Sequence, residues 1–87
     1  MAAMIEGRRA QFIAELTGGG VKPGAPAREV DATVDRLVHY AGWADKFQQV
    51  FSSVNPVNSP HFNFSILEPT GVVGVVAPRS EALLGLV

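Results

Sequence analysis

Two segments of the chain carry the 3.6-residue hydrophobic repeat of amphipathic helices. In the first, about residues 2–17, the large apolar side chains share one helical face and the charged side chains lie mostly elsewhere. The apolar positions are Ile5, Phe12, Ile13 and Leu16. Three glycines follow, and Pro23 and Pro26 are expected to keep the helix from resuming. Residues 17–27 are therefore predicted to be a linker.

The second helical repeat covers about residues 28–47. One apolar stripe comprises Val30, Val34, Leu37, Val38, Ala41 and Ala44, and a flanking stripe comprises Tyr40, Trp43 and Phe47. So broad an apolar face predicts a core helix that packs on two sides. Glu29 and Asp31 are expected in its first turn, where the helix dipole favours acidic residues, so the helix is predicted to begin near Ala27.

Beyond residue 47 the hydrophobic period changes from helical to extended. Phe62, Phe64 and Ile66 alternate with polar or small residues, and the Asn-Pro-Ser cluster before them is typical of a turn. These features predict an antiparallel strand pair at about residues 47–68. Residues 71–77 are apolar on both faces, and a buried parallel strand is predicted at about residues 70–77. Ser80 is then expected to be the N-cap of a following helix. "SEALLGLV" is typical of the first two turns of such a helix, and it includes no C-cap. This pattern suggests that the chain is a fragment.

This order of elements predicts an α/β fold with two N-terminal helices, a strand pair and one buried parallel strand. The 87 residues allow one small domain, and they include no cysteine that could form a stabilising disulfide. With one unpartnered strand, the chain made alone is expected to aggregate or be disordered.

Composition excludes several classes of partner. The net charge of −1 and the 17 % charged residues give no basis for binding nucleic acid or an anionic membrane surface. No apolar stretch approaches a membrane span, and residues 1–17 lack the apolar centre of a signal peptide. The cytoplasm is the default expectation.

Local motifs give little direct evidence of chemistry. "GVVG" lacks the third glycine of a dinucleotide-binding fingerprint, and glycines in a strand more often permit close approach of a neighbour. His39 and His61 have no acidic or cysteine partner at metal-ligand spacing, so no metal site is expected. None of the serines lies in a nucleophile elbow.

Two linked strings, "RLVHYAGWADKF" and "EPTGVVGVVAP", resemble the aldehyde dehydrogenase superfamily. The resemblance covers most of the chain, and its diagnostic part is residues 36–78. At the position of the second string, family members typically have Glu-Pro-x-Gly-Val-x-Gly-x-Ile-x-Pro-Trp-Asn-Phe-Pro. Family activity is the NAD(P)-dependent oxidation of aldehydes to carboxylic acids through a cysteine thiohemiacetal.

The resemblance implies a role for each matching position. Residues 70–77 would be the first strand of a Rossmann-like NAD(P)-binding domain, and Glu68 and Pro69 would end a strand of the sheet used in subunit assembly. Val76, Ala77, Pro78 and Arg79 would lie where members approach the nicotinamide and its ribose. NAD or NADP is the implied cofactor.

The sequence departs from the family pattern after Pro78. Arg79 and Ser80 stand where members have Trp and Asn, and that asparagine donates an N–H to the oxyanion of the thiohemiacetal. Loss of one such donor costs about 10² to 10³ in rate, and a serine side chain is too short to replace it. The chain contains no cysteine nucleophile, so no catalytic residue is assigned within it.

Three functional hypotheses follow. The chain is the N-terminal part of an aldehyde dehydrogenase family protein, not catalytic alone, or it is a degenerate pseudoenzyme unit that serves assembly or scaffolding. A stand-alone interaction module has no positive feature beyond the short chain. The expected partner is the rest of its own polypeptide or a homo-oligomer.

Overall fold

The computed structural model describes residues 1–20, 22 and 24–87. Their regular structure is helical: α1 (Ala2–Gly7), α2 (Arg9–Gly18), α3 (Ala25–Phe51) and the short α4 (Ala82–Gly85). Helices α1, α2 and α4 all pack against α3. No helix among these residues is both long enough and apolar enough to cross a membrane.

The first predicted helix is divided in two at Arg8, which has φ −110° and ψ 20°. The break follows Gly7, whose low helix propensity makes an interruption less costly there. It allows α1 and α2 to meet α3 at separate places. Ile5 of α1 is 5 % exposed and forms part of the core, whereas Phe12, Ile13 and Leu16 of α2 are only half-buried.

Helix α3 begins earlier than predicted, at Ala25. Gly24 precedes it with φ 83°, and Pro26 lies in the first turn, where its missing N–H costs no hydrogen bond. The predictions that Pro26 would block a helix and that Glu29 and Asp31 would occupy the first turn are therefore wrong. Within the predicted 17–27 linker, Val21 and Pro23 lie outside the described residues.

The core is small and lies at the N-terminal half of α3. Its fully buried side chains there are Val30 and Thr33, and the Thr33 hydroxyl donates a 2.7 Å hydrogen bond to the Glu29 carbonyl. The last turn of α3 is exposed, with Val50 and Phe51 more than half exposed. The expected packing on two sides therefore does not extend to the C-terminal end of the helix.

The predicted α/β fold class is wrong for the described residues, which form no β-sheet. The predicted strand pair is reduced to one antiparallel bridge between Val54 and Phe64. The segment predicted as a buried parallel strand, residues 70–77, has no regular secondary structure and is mostly exposed. A parallel strand is stable only beside other strands and between covering layers, and the described chain supplies neither.

Candidate functional site

The residues that the sequence marks for function lie together in the segment that enters α4. Val76 is 98 % exposed, Ala77 is half-buried, and Pro78, Arg79 and Ser80 are exposed. They form a corner between the irregular C-terminal segment and the helical part of the molecule. We refer to residues 76–81 as the corner.

A buried carboxylate of α3 holds the helix that follows the corner. Glu29 is 5 % exposed, and its Oε1 accepts hydrogen bonds from the backbone N–H groups of Leu83, at 2.8 Å, and Leu84, at 3.4 Å. These N–H groups belong to the first turn of α4, which has no intrahelical partners for them. Glu29 thus performs the capping role from another helix.

The prediction that Ser80 caps α4 is wrong. The N-cap position is Glu81, with φ 51° and ψ 49°, and it makes no side-chain capping hydrogen bond. A non-glycine residue in this left-handed region is strained, so packing around the corner must hold it there. The contacts of Glu29 supply part of that constraint.

Arg36 makes a second polar contact between α3 and α4. Its Nη1 donates a 3.1 Å hydrogen bond to the carbonyl oxygen of Leu84. Glu29 and Arg36 are seven residues apart, so they lie two turns apart on nearly the same face of α3. One residue binds backbone donors of α4 and the other binds a backbone acceptor, which fixes the position of α4 along α3.

The corner also folds back onto α4 at Gly85. A Cβ built at Gly85 would lie 2.5 Å from Cδ and 2.6 Å from Cγ of Pro78. The absence of a side chain therefore permits the Pro78 ring to lie against the helix backbone. Beside this contact, Ala77 and α4 face α2 across a shallow apolar depression of about 370 Å³, lined also by Phe12 and Leu16.

The same helical scaffold contains a bidentate ion pair between α2 and α3. Arg9 Nε and Nη2 donate to the two carboxylate oxygens of Asp31, at 2.7 Å and 2.9 Å. The hydrogen bond from Arg9 lowers the pKa of Asp31, and the same pairing raises the pKa of Arg9. Because both side chains are about half exposed, water and salt weaken the pair.

Cofactor binding at the corner is a prediction from the family resemblance, and the described geometry gives it no direct support. Two residues of the corner line shallow depressions beside α4: Ala77 lines one and Glu81 lines another. Val76, Pro78 and Arg79 do not line these two depressions. The backbone N–H groups of Leu83 and Leu84, at the start of α4, donate to the Glu29 carboxylate and are not free to bind a phosphate. The roles of Val76, Ala77, Pro78 and Arg79 in cofactor binding therefore stay predictions from family resemblance, as does Ser80 at the oxyanion position.

Other chemistry is sparse in the part of the chain that the structure describes. It contains no group of three or more His, Cys, Asp or Glu side chains that could hold a metal ion. His39 stacks edge-on against Tyr40 on the exposed half of α3, with ring centroids 5.6 Å apart. The residue that sequence reasoning missed is Glu29, because the contact that reveals its role joins positions more than 50 residues apart.

The chain is similar in sequence to part of known aldehyde dehydrogenases. It is 34 % identical over 86 residues to retinal dehydrogenase 2 of Mus musculus, and the aligned region covers 97 % of the chain and 16 % of that relative. It is also 34 % identical over 56 residues to the mitochondrial aldehyde dehydrogenase of Sus scrofa, covering 64 % of the chain and 10 % of the relative. No family model and no solved structure matches. The chain thus spans about a sixth or less of the length of these relatives.

Proposed function

Because the chain belongs to the aldehyde dehydrogenase superfamily, we propose that it is a non-catalytic segment of an aldehyde dehydrogenase-type protein. The observation that carries the proposal is the composition of the matched region: 86 aligned residues with no cysteine. Any thiohemiacetal chemistry in a protein that contains this chain requires a nucleophile from outside these residues. The segment contributes structure around the corner, not a reacting group.

The helical scaffold supports this structural role. Glu29 and Arg36 bind the backbone of α4, and the Pro78 ring lies against Gly85 of the same helix. The corner is thereby held in a defined place although most of its side chains are exposed. In the proposal, this surface meets the rest of an aldehyde dehydrogenase-type polypeptide, where NAD or NADP and an aldehyde would be bound in family members.

Ser80 favours a second candidate, a pseudoenzyme unit that serves assembly or scaffolding. Its hydroxyl replaces the longer asparagine amide expected at the oxyanion position, and Arg79 replaces the expected tryptophan. Loss of the oxyanion donor alone predicts a rate about 10² to 10³ below that of an intact member. Both candidates agree that residues 1–87 carry no cysteine nucleophile, and they differ on the activity of the whole protein.

The test is aldehyde-dependent formation of NADH or NADPH by two preparations. The 87-residue chain alone is expected to form neither product, and turnover by that chain would contradict the proposal. The native protein purified from its source, with its intact mass and peptides mapped, then separates the candidates. Turnover there, with a cysteine found beyond these residues, excludes the pseudoenzyme, whereas no turnover supports it.

Location belongs to the same proposal. We place the protein in the cytoplasm, the default expectation from its sequence. Fractionation of cells followed by detection of peptides from α3 tests this placement, and recovery in an organelle fraction would contradict it.

A further inference from the structure

Two acceptors compete for the backbone N–H groups at the start of α4. Ser80 lies immediately before Glu81 and is one of the residue types that most often cap a helix from its own N-terminus. The acceptor that the structure uses is Glu29, whose Oε1 accepts from Leu83 at 2.8 Å and from Leu84 at 3.4 Å. These are the second and third positions of α4, which an N-cap side chain normally serves. Glu29 therefore takes the place of a local cap.

The two caps place the start of the helix at different residues. With Ser80 as the N-cap, α4 would begin at Glu81, and Glu81 would have helical backbone angles. In the structure α4 begins at Ala82, and Glu81 is the N-cap with φ 51° and ψ 49°. Changing φ from about −63° to the observed value at one residue redirects the chain that precedes it. The choice of cap thus sets the course of residues 76–80, which form most of the corner.

Local backbone preference opposes the observed conformation. Glu81 is not a glycine, and the left-handed region lowers the population of such a residue roughly 5- to 30-fold relative to the helical region. Glu81 gains no capping hydrogen bond of its own side chain in that conformation. The sequence next to α4 therefore gives no reason for the helix to begin at Ala82.

The burial of Glu29 supplies the opposing preference. Its side chain is 5 % exposed, and a carboxylate removed from water requires hydrogen-bond donors. Leu83 and Leu84 provide these donors, and an ionised acceptor binds N–H groups more strongly than a serine hydroxyl does. A helix capped by Ser80 would use the same N–H groups and leave the buried carboxylate without them. The two arrangements therefore exclude each other.

We propose that the corner is a two-state element governed by Glu29. While Glu29 binds α4, the helix begins at Ala82 and Glu81 is held in the left-handed conformation. Without that contact, the helix begins at Glu81 and Ser80 caps it. Glu29 is thus a positioning residue that acts on the corner through the backbone of α4. This inference is independent of the proposed function, because it requires neither a cofactor nor turnover.

A double-mutant cycle with E29A and S80A tests the two states in the 87-residue chain. With Glu29 present, S80A should leave amide hydrogen exchange at Leu83 unchanged, because Ser80 is not the cap. In the E29A background, S80A should speed that exchange by roughly fivefold, because Ser80 has become the cap. S53A is the matched control, since Ser53 lies outside the corner, and it should have no effect in either background.

The backbone of residue 81 reports the state directly. The nuclear Overhauser effect between the amide and Hα protons of one residue is strong at positive φ and weak in a helix. We expect it to be strong at Glu81 in the starting chain and in E29Q, which keeps an acceptor oxygen, and weak in E29A. The contact between Pro78 and Gly85 should be lost together with it, because the corner then takes another course.

Substitutions of Glu81 should shift the two states in opposite directions. E81G removes the cost of the left-handed conformation and should slow exchange at Leu83 by roughly fivefold. E81P excludes the observed φ, because the proline ring fixes φ near about −65°, a value suited to the first position of a helix. In E81P, exchange at Leu83 should respond to S80A and no longer to E29A.

Far-UV circular dichroism verifies that the long helices are retained in every variant. Three results would each overturn the proposal. The first is an effect of S80A while Glu29 is present, and the second is a residue 81 that stays left-handed in E29A. The third is an E29A chain in which S80A has no further effect on Leu83.

Discussion

At the scale of single residues, Glu29 connects α3 to α4 near the end of the chain. Its position in the sequence suggested only a favourable interaction with the dipole of its own helix. In the structure its carboxylate is buried and binds backbone donors of α4 instead. Long-range contacts of this kind cannot be read from local sequence, because any acidic residue in an early helical turn would give the same pattern.

Replacing Glu29 by alanine should release α4. The substitution leaves the N–H groups of Leu83 and Leu84 without their acceptor, and we expect the free energy of unfolding to fall by about 1 to 3 kcal/mol. Amide hydrogen exchange at Leu83 and Leu84 should speed up more than elsewhere. E29Q keeps an acceptor oxygen, so its free energy of unfolding should fall less. Equal effects of the two variants would count against the capping role.

The Arg9–Asp31 pair predicts a specific pH dependence. Since the pKa of Asp31 is lowered in the folded chain, the pair stabilises the fold above the ordinary aspartate pKa. That stabilisation is lost as the pH falls through the lowered value, and salt weakens it because both groups are exposed. Carboxyl NMR titration should show the Asp31 pKa rising in R9Q. An unchanged pKa would contradict the pairing.

At the scale of elements, the helices were more predictable than the strands. Helical periodicity located both long helical regions, because the i to i−4 hydrogen bonds that form them are local to the segment. The observed bounds differ from the predicted ones at Arg8, which interrupts the first helix, and at Ala25, where α3 begins with Pro26 in its first turn. Strand patterning at residues 62–66 and 70–77 did not yield a sheet, because strands depend on distant partners for their hydrogen bonds.

The contact between the corner and α4 depends on Gly85. Gly85→Ala should force the Pro78 ring away, since the added Cβ would lie 2.5 Å from Cδ of Pro78. We expect unfolding free energy to fall by about 1 to 3 kcal/mol and nuclear Overhauser contacts between the two residues to disappear.

Two further variants serve as controls for that prediction. Gly42→Ala adds the same methyl group within α3, where nothing lies within 4 Å, and should be neutral or stabilising. The double variant P78A/G85A removes the ring and should recover much of the loss. If P78A/G85A is as unstable as G85A alone, the clash with the Pro78 ring is not the cause of the lost stability.

At the scale of the whole molecule, the chain combines a small helical core with a large exposed apolar segment. Measuring 62 × 22 × 18 Å, it is elongated, and its large apolar side chains beyond residue 50 are mostly exposed. The family was recognisable from two linked strings of sequence, but the cofactor-binding roles of Val76, Ala77, Pro78 and Arg79 stay predictions. A binding cleft requires several elements at once, so matching positions alone do not create one.

A titration of the isotopically labelled 87-residue chain with NAD⁺ and NADP⁺, followed by backbone NMR, tests whether the corner holds cofactor without the rest of the polypeptide. We expect no saturable shift at residues 76, 77 and 79, because most of the corner is exposed and Glu29 binds the N–H groups of α4. Saturable shifts confined to the corner at submillimolar cofactor would contradict it, since they would mean that this segment holds the cofactor by itself.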